Sequence, residues 1–235
     1  MTAPHVGHLI VGAGQVGKAL ESLLGAEGRG SVAIRDVDPI DVTARMIHIA
    51  YPWSEGFVES VKADQTRHEA KIVVIHSTVP VGTCDPNDWV FSPIRGRHPY
   101  LNQSLYQFVK FFGGWQAQKA SKPFTQLGVT VRIQPKAADL EAGKLWELAQ
   151  YAVQILMEKT MFEYCQDLGL DHDVVYRQFA ETYNNGYKRD FQDRFVRPVL
   201  SHKPGPIGGH CVIPGVKLLD DALANTILAW HEEVS

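Results

Sequence analysis

The stretch "HLIVGAGQVGKALESLL", His8 to Leu24, constrains the fold more than any other part of the chain. His8 to Val11 is a short apolar run suited to a strand buried on both faces of a parallel sheet. Gly12, Gly14 and Gly17 then make G-x-G-x-x-G, and "KALESLL" continues at helical spacing. Glycines here permit a tight turn and close backbone approach, and they leave N–H groups at a helix start to hold a pyrophosphate. Gln15 and Val16 fall in the same turn. "SVAIRDVD" supplies a second strand ending at Asp36, 24 residues after Gly12, where a ribose-binding acid belongs. Asp36 would accept hydrogen bonds from ribose hydroxyls and repel a 2′-phosphate, so the spacing predicts NAD rather than NADP. Arg35 beside it weakens that preference. The alternative is the same turn in an α/β fold that binds no cofactor.

Two further apolar runs, "RMIHIAYP" and "KIVVIHSTVP", flank a segment in which Phe57, Val58 and Val61 have helical spacing. Strand–helix–strand implies a parallel sheet with a right-handed crossover. The segment from Asp38 to Thr43 is too short for the intermediate strand and helix expected there. Val129 to Ile133 reads as a late strand, and Pro86, Pro93, Gly96 and Pro99 make Asp85 to Tyr100 a loop. The expected fold is α/β: a Rossmann-type, doubly wound NAD-binding domain over 1–135, then a helical domain over 136–235. In the latter, Ala137 to Leu168 has good helix formers and no proline, with Gly169 as C-cap. Such a helix is too long for a small domain to cover, which predicts a homodimer packed along it. A shorter helix, "DHDVVYRQFAETY", follows with Asp171 as N-cap. Cys165, inside the long helix, reads as buried core.

Composition narrows the function classes. A net charge of -3 over 235 residues gives no support to nucleic-acid binding. Three scattered cysteines, Cys84, Cys165 and Cys211, do not form a disulfide framework and suggest a cytoplasmic protein. No CxxC pair or zinc-like histidine spacing is present, so no metal site is expected. The opening residues do not resemble a signal peptide, and no apolar run approaches the roughly 20 residues of a membrane span. Arg189, Arg194 and Lys203 lie in a basic, aromatic segment that is either a solvated face or a clamp for an anionic substrate. "KPGPIGGHCVIPG", Lys203 to Gly215, surrounds Cys211 with glycine and proline. From the residues alone Cys211 reads as a nucleophile, a metal ligand or a thiol in a turn.

Several colinear pieces resemble the nucleotide-sugar dehydrogenases of the UDP-glucose and GDP-mannose type. "VGAGQVG" with "RDVD" resembles their cofactor end, and "VVIHSTVPVGT" is similar to their "ESTVPPGT" turn. "FSPIRGRHP" resembles "SPER", "KFFGG" resembles "RIVGG", and "AADLEAGKLWELAQ" looks like the start of their central helix. "GPIGGHCVIPG" is close to "GPGxGGHCIPVD". The resemblance implies an NAD-dependent double oxidation of a sugar alcohol to a carboxylate. A cysteine thiolate captures the aldehyde, and the resulting thioester is cleaved by water. By position it implies Cys211 as nucleophile, Lys144 as alkoxide stabiliser and Thr78 as the residue that positions water. It also implies Ser77 and Thr78 beside the cofactor, and Gly208 and Gly209 where the backbone approaches the sugar.

Three departures accompany it. The family's acid aligns with Ile94, its asparagine with Leu148, and its aspartate with Gly215. A general base contributes about 10²–10⁴-fold, so its loss argues against the usual two-step rate. His210 is a substitute base or a turn cap, with His98 and Glu147 as lesser replacements. The expected chain is a short member lacking the C-terminal UDP-binding domain. Two other readings stay open: a single-step dehydrogenase relying on Lys144, and a non-catalytic NAD-binding protein.

Overall fold

Strand β1, His5–Val11, is flanked by β2, Val32–Arg35, on one side and β3, Thr43–Ile49, on the other. The computed structural model describes residues 3–26 and 31–234. Beyond β3 the sheet adds β4 (Ile72–Ile75), β5 (Val90–Phe91), β6 (Lys110–Gly113) and β7 (Val131–Gln134), giving the order β2-β1-β3-β4-β5-β6-β7. Every pairing is parallel except β5 with β6. Seven strands, mostly parallel, with helices on both faces make the Rossmann-type architecture that the glycine turn and apolar runs predict. The short Asp38–Thr43 segment has the consequence expected of it: β2 is the sheet edge, and the chain passes to β3 without a helix.

Alternation along the strands sorts side chains into two layers. Ile10, Met46 and Val74 point to the layer filled by helix α1 (Gln15–Leu24), α3 (Leu101–Gln107) and α4 (Ala117–Gln126). Leu9, Val11, Ile47, Ile49, Val73 and Ile75 point to the other, with Phe57 and Val61 of α2 (Phe57–Arg67). The segment read as a plain loop, Asp85 to Tyr100, instead carries a 3-10 turn over Asp85–Asn87 and strand β5. A two-residue strand between prolines leaves no periodic signal to read. Val131–Gln134 is the late strand, shifted by two residues from the expected start.

Helix α5 spans Ala137–Leu168, as its sequence predicts, and ends with Gly169 at φ +62°. The chain forms two compact units, Met1–Lys144 and Leu145–Ser235. In the second unit, a π-helical turn over Asp173–Gln178 leads into α6 (Phe179–Arg189), and Asp171 accepts from the Asp173 N–H at 2.9 Å. Short α7 (Val212–Val216) and α8 (Ala222–Glu233) close the chain. Their core joins Leu145, Leu148, Ala152 and Leu156 of α5 to Ile207, Val216 and Ile227. Cys165 is fully buried. No described helix is long and apolar enough to cross a membrane.

Candidate functional site

The glycine turn between β1 and α1 is built from close contacts that only glycine allows. A Cβ on Gly17 would come 1.8 Å from the Gly12 carbonyl oxygen. One on Gly12, where φ is +105°, would meet the Ala50 carbonyl carbon at 2.8 Å. Around Gly14 a Cβ would meet nothing within 4 Å, so the middle of the turn faces open space. Gly14 is the N-cap of α1, and no side chain caps the helix there. The first-turn N–H groups of a ten-residue helix therefore lack a capping side chain, the arrangement that receives a phosphate.

Asp36, just past β2, is exposed and accepts the Ala13 N–H at 3.1 Å. The structure thus brings the ribose candidate onto the glycine turn. Arg35 turns away from this role. Its guanidinium pairs with the largely buried carboxylate of Asp64 and donates to the Asp36 carbonyl at 2.9 Å. Gln15, exposed at the start of α1, contacts His98 of the "SPIRGRHP" loop. Val16 is half-buried and packs on the core layer.

The turn after β4 is held from below. The Ser77 hydroxyl donates to the Tyr51 carbonyl at 2.5 Å, tying the turn to the end of β3. Thr78 beside it is half-buried. Glu141 of α5, fully buried, accepts from Gly82 N–H at 2.7 Å and Cys84 N–H at 2.9 Å. In return the Asp85 carboxylate accepts from the Ala137 and Ala138 N–H groups at 2.9 and 3.0 Å, capping α5. This reciprocal clamp was missed in the sequence because its partners lie more than 50 residues apart. The pattern available was an acid shortly after "STVPVGT" and another within "AADLEAGK". Burial and the Glu141 charge push the Cys84 thiol well up, leaving it unreactive. Ile94 packs against the α1/α3/α4 layer. Lys144 is half-buried, and its charge reaches Lys110: burial, then repulsion from Lys144, hold the Lys110 amine well below its usual range.

In the second unit, Gly208, Gly209, His210 and Cys211 form an exposed run, with Gly209 at φ +87°. Cys211 is the N-cap of α7 and the exposed cysteine; Cys84 and Cys165 are buried. The run is pinned at both ends. Before it, the buried Lys159 ammonium donates to the carbonyls of Lys203, at 2.6 Å, and Gly205. After it, Val212 and Val216 enter the core. A Cβ on Gly215 would lie 2.4 Å from Leu148 Cδ1. Two positions read separately as lost polar residues are therefore one packed contact: Leu148 fills the space a side chain at 215 would need. Arg189, Arg194 and Lys203 are all exposed. Arg194 lies over the Phe195 ring at 4.8 Å, and Asn184 holds the Arg197 backbone by two hydrogen bonds of 2.7 and 2.8 Å.

No protein-family model and no curated protein sequence matches the chain. Solved structures do. UDP-D-ManNAc dehydrogenase from Pyrococcus horikoshii superposes with a TM-score of 0.74 at 16% identity, over 97% of this chain and 68% of that one. The chain has the fold of the UDP-sugar dehydrogenases. UDP-glucose dehydrogenase from Pyrobaculum islandicum gives 0.74 at 14% identity, over 98% of this chain and 69% of that one. Mycobacterium tuberculosis 3-hydroxyisobutyrate dehydrogenase gives 0.66 at 15% identity, over 99% of this chain and 94% of that one. The likeness extends through the UDP-sugar dehydrogenase fold over about two thirds of those chains, and over nearly all of the hydroxyisobutyrate enzyme.

Proposed function

We propose that the protein is an NAD-dependent oxidoreductase that oxidises an alcohol of a sugar-like or anionic substrate, with Cys211 as nucleophile. The observation that carries the reading is the glycine cradle: two positions no Cβ can occupy, an open one between them, and a carboxylate bonded to the same turn. That cradle fits a dinucleotide. Asp36 would take the ribose hydroxyls through its remaining acceptor capacity, and Arg35, committed to Asp64, does not offer itself to a 2′-phosphate. When bound, nicotinamide supplies the two-electron acceptor for the alcohol. Lys144 steadies the developing alkoxide by its positive charge. Cys211, exposed at the head of α7, captures the carbonyl product, with His210 as the neighbouring base. Gln15, Val16, Ser77 and Thr78 line the cofactor side, and Gly208, Gly209, Arg189, Arg194 and Lys203 the substrate side.

A homodimer through α5 completes the reading. Trp146, Met157, Tyr164 and Leu168 are 43–58% exposed. At about 100° per residue they fall on one stripe of the helix. Gel filtration with light scattering should give twice the 26.2 kDa chain mass. Free thiols suit a cytoplasmic setting.

The test is alkylation of Cys211 by iodoacetamide with and without NAD, against glutathione as the exposed reference thiol. Labelling several-fold faster than glutathione at pH 7, and changed at least threefold by NAD, is expected. Labelling at the glutathione rate, indifferent to NAD, would move the reading to a non-catalytic dinucleotide-binding protein. A single oxidation without the cysteine is favoured by one observation: Ile94, Leu148 and Gly215 supply no base to cleave a thioester. One NADH per alcohol, with full turnover in Cys211→Ser, would establish that version.

A further inference from the structure

A line of titratable side chains crosses the apolar layer between the sheet and α4. His8 Nδ1 lies 3.0 Å from His48 Nε2, and His48 Nδ1 lies 3.0 Å from His76 Nε2. His76 Nδ1 is 3.2 Å from Lys110 Nζ and 2.7 Å from the Ser92 carbonyl oxygen. Lys110 Nζ also donates to the carbonyls of Ser92 at 2.6 Å and Pro93 at 3.0 Å. His48, His76 and Lys110 are buried, whereas His8 is half-buried. Phe112 and Phe124 wall the row, with Phe124 edge-on to His48 at 6.0 Å between ring centroids.

The register shows where the row leads. His8 is paired with Met46, two residues before His48, and His48 with Val74, two residues before His76. Each step thus climbs two residues toward the C-terminal ends of the parallel strands. Lys110 begins β6, which runs antiparallel to β5, so it too stands at that edge. The glycine turn after β1 leaves from the same edge.

Hydrogen-bond chemistry then fixes the direction. A carbonyl oxygen only accepts, so His76 Nδ1 carries its hydrogen toward Ser92. His76 Nε2 therefore accepts from His48 Nδ1–H, and His48 Nε2 accepts from His8 Nδ1–H. A neutral Lys110 amine spends two hydrogens on the Ser92 and Pro93 carbonyls and keeps a lone pair, with His76 Nδ1 within reach. Burial is the first cause pushing both inner imidazoles and the amine down, toward their neutral forms. Arg45 adds to it at His8, and Lys144 at Lys110. Among the described residues no cluster of His, Cys, Asp or Glu is arranged to hold a metal. A purely structural polar contact between strands would be satisfied by serine or asparagine pairs. Four groups in line, each able to gain and lose a proton, go beyond that need.

We propose that His8, His48, His76 and Lys110 form a proton path from the half-buried ring of His8 inward to the cofactor edge of the sheet. This rests on the dehydrogenase reading for its purpose. When the dehydrogenase reaction runs toward the alcohol, the carbonyl carbon takes a hydride from the reduced nicotinamide and the new O–H bond needs a proton drawn from water. A proton gained at His8 Nε2 lets His8 Nδ1–H pass to His48 Nε2, His48 Nδ1–H to His76 Nε2 and His76 Nδ1–H to the Lys110 lone pair, each nitrogen taking one proton for the one its ring gives up. These are relay residues and do not touch substrate.

The test follows the ring N–H of His76 by NMR on protein labelled with ¹⁵N-histidine, measuring its exchange with water. Exchange at least tenfold faster than that of the β4 backbone amides is expected, despite burial. His8→Phe should slow it at least tenfold and leave the β4 amides unchanged. His48→Asn, which interrupts the middle, serves as the second variant. A His76 proton exchanging no faster than β4, or at one rate in wild type and both variants, overturns the path. NADH titration of the same samples separates the two claims. Absence of dinucleotide binding overturns the link to the dehydrogenase reaction, whatever the exchange rates show.

Discussion

The two compact units have treated their inherited-looking features in opposite ways. In the first, the glycine turn is kept so strictly that two of its glycines admit no Cβ, and the turn after β4 is locked by the Glu141–Asp85 clamp. In the second, the thiol loop keeps "GGHC", but the positions expected to be polar have closed into the Leu148–Gly215 contact. Against the resemblance, the glycine turn is preserved in full, whereas two of the three departures, Leu148 and Gly215, leave the thiol side rewritten.

The largest effect should come from breaking the preserved side. Gly17→Ala puts a methyl 1.8 Å from the Gly12 carbonyl oxygen, so β1 and α1 must separate to accept it. NADH affinity, read by fluorescence titration, should fall by about 10²–10³-fold, the loss of roughly 3–4 kcal/mol at a phosphate-binding turn. Gly14→Ala, facing open space, should leave the fold unstrained but also weaken NADH binding, because its methyl occupies the space the pyrophosphate needs. Undiminished NADH affinity in either variant would mean that the turn does not grip the ligand as its geometry implies.

That turn was legible because its signals are local: an apolar run, glycines at fixed offsets and an acid 24 residues on. The long helix was legible for the same reason, over 32 residues without a proline. Strand β5 was not, being two residues long, nor was α4, which carries Pro123 in its interior. His8, His48 and His76 each sit in apolar runs and read singly as strand residues; only the stagger of three strands brings them into line. Leu148 and Gly215, 67 positions apart, read as two independent losses until packing joined them.

The second prediction sharpens the rewritten side. Gly215→Asp alone drives a Cβ to 2.4 Å from Leu148 Cδ1 and buries a carboxylate. It should destabilise by about 3 kcal/mol in urea unfolding, the sum of overpacking and an unpaired charge. Leu148→Asn in the same chain restores both space and a hydrogen-bond partner. The double variant should recover about 1–2 kcal/mol relative to additivity. Additive behaviour would show that the two changes are unrelated, and the contrast between the units would lose its clearest instance.

The smallest effect concerns the first unit's own polar row and asks whether it is kept neutral, as a relay requires. His48 and His76 are fully enclosed, and burial leads the causes pushing both well below the ordinary imidazole value of 6.5. The sign follows from linkage: below about pH 6.5 the unfolded chain binds two protons that the folded chain refuses. Stability contributed by these rings is therefore complete above pH 6.5 and is lost as pH falls toward their folded values. Between pH 6.5 and 5.5 the two together should remove about 2 kcal/mol from the unfolding free energy. Lys110, depressed from 10.5 by burial and by Lys144, has the same sign: a neutral folded amine refuses a third proton across this window and steepens the loss instead of offsetting it. His48→Phe should reduce the loss by about 1 kcal/mol, whatever its absolute stability, because one of the refused protons is gone. Unfolding free energy that is flat between pH 6.5 and 5.5 would mean that the row is already charged when folded, which no chain of neutral, one-directional hydrogen bonds can accommodate.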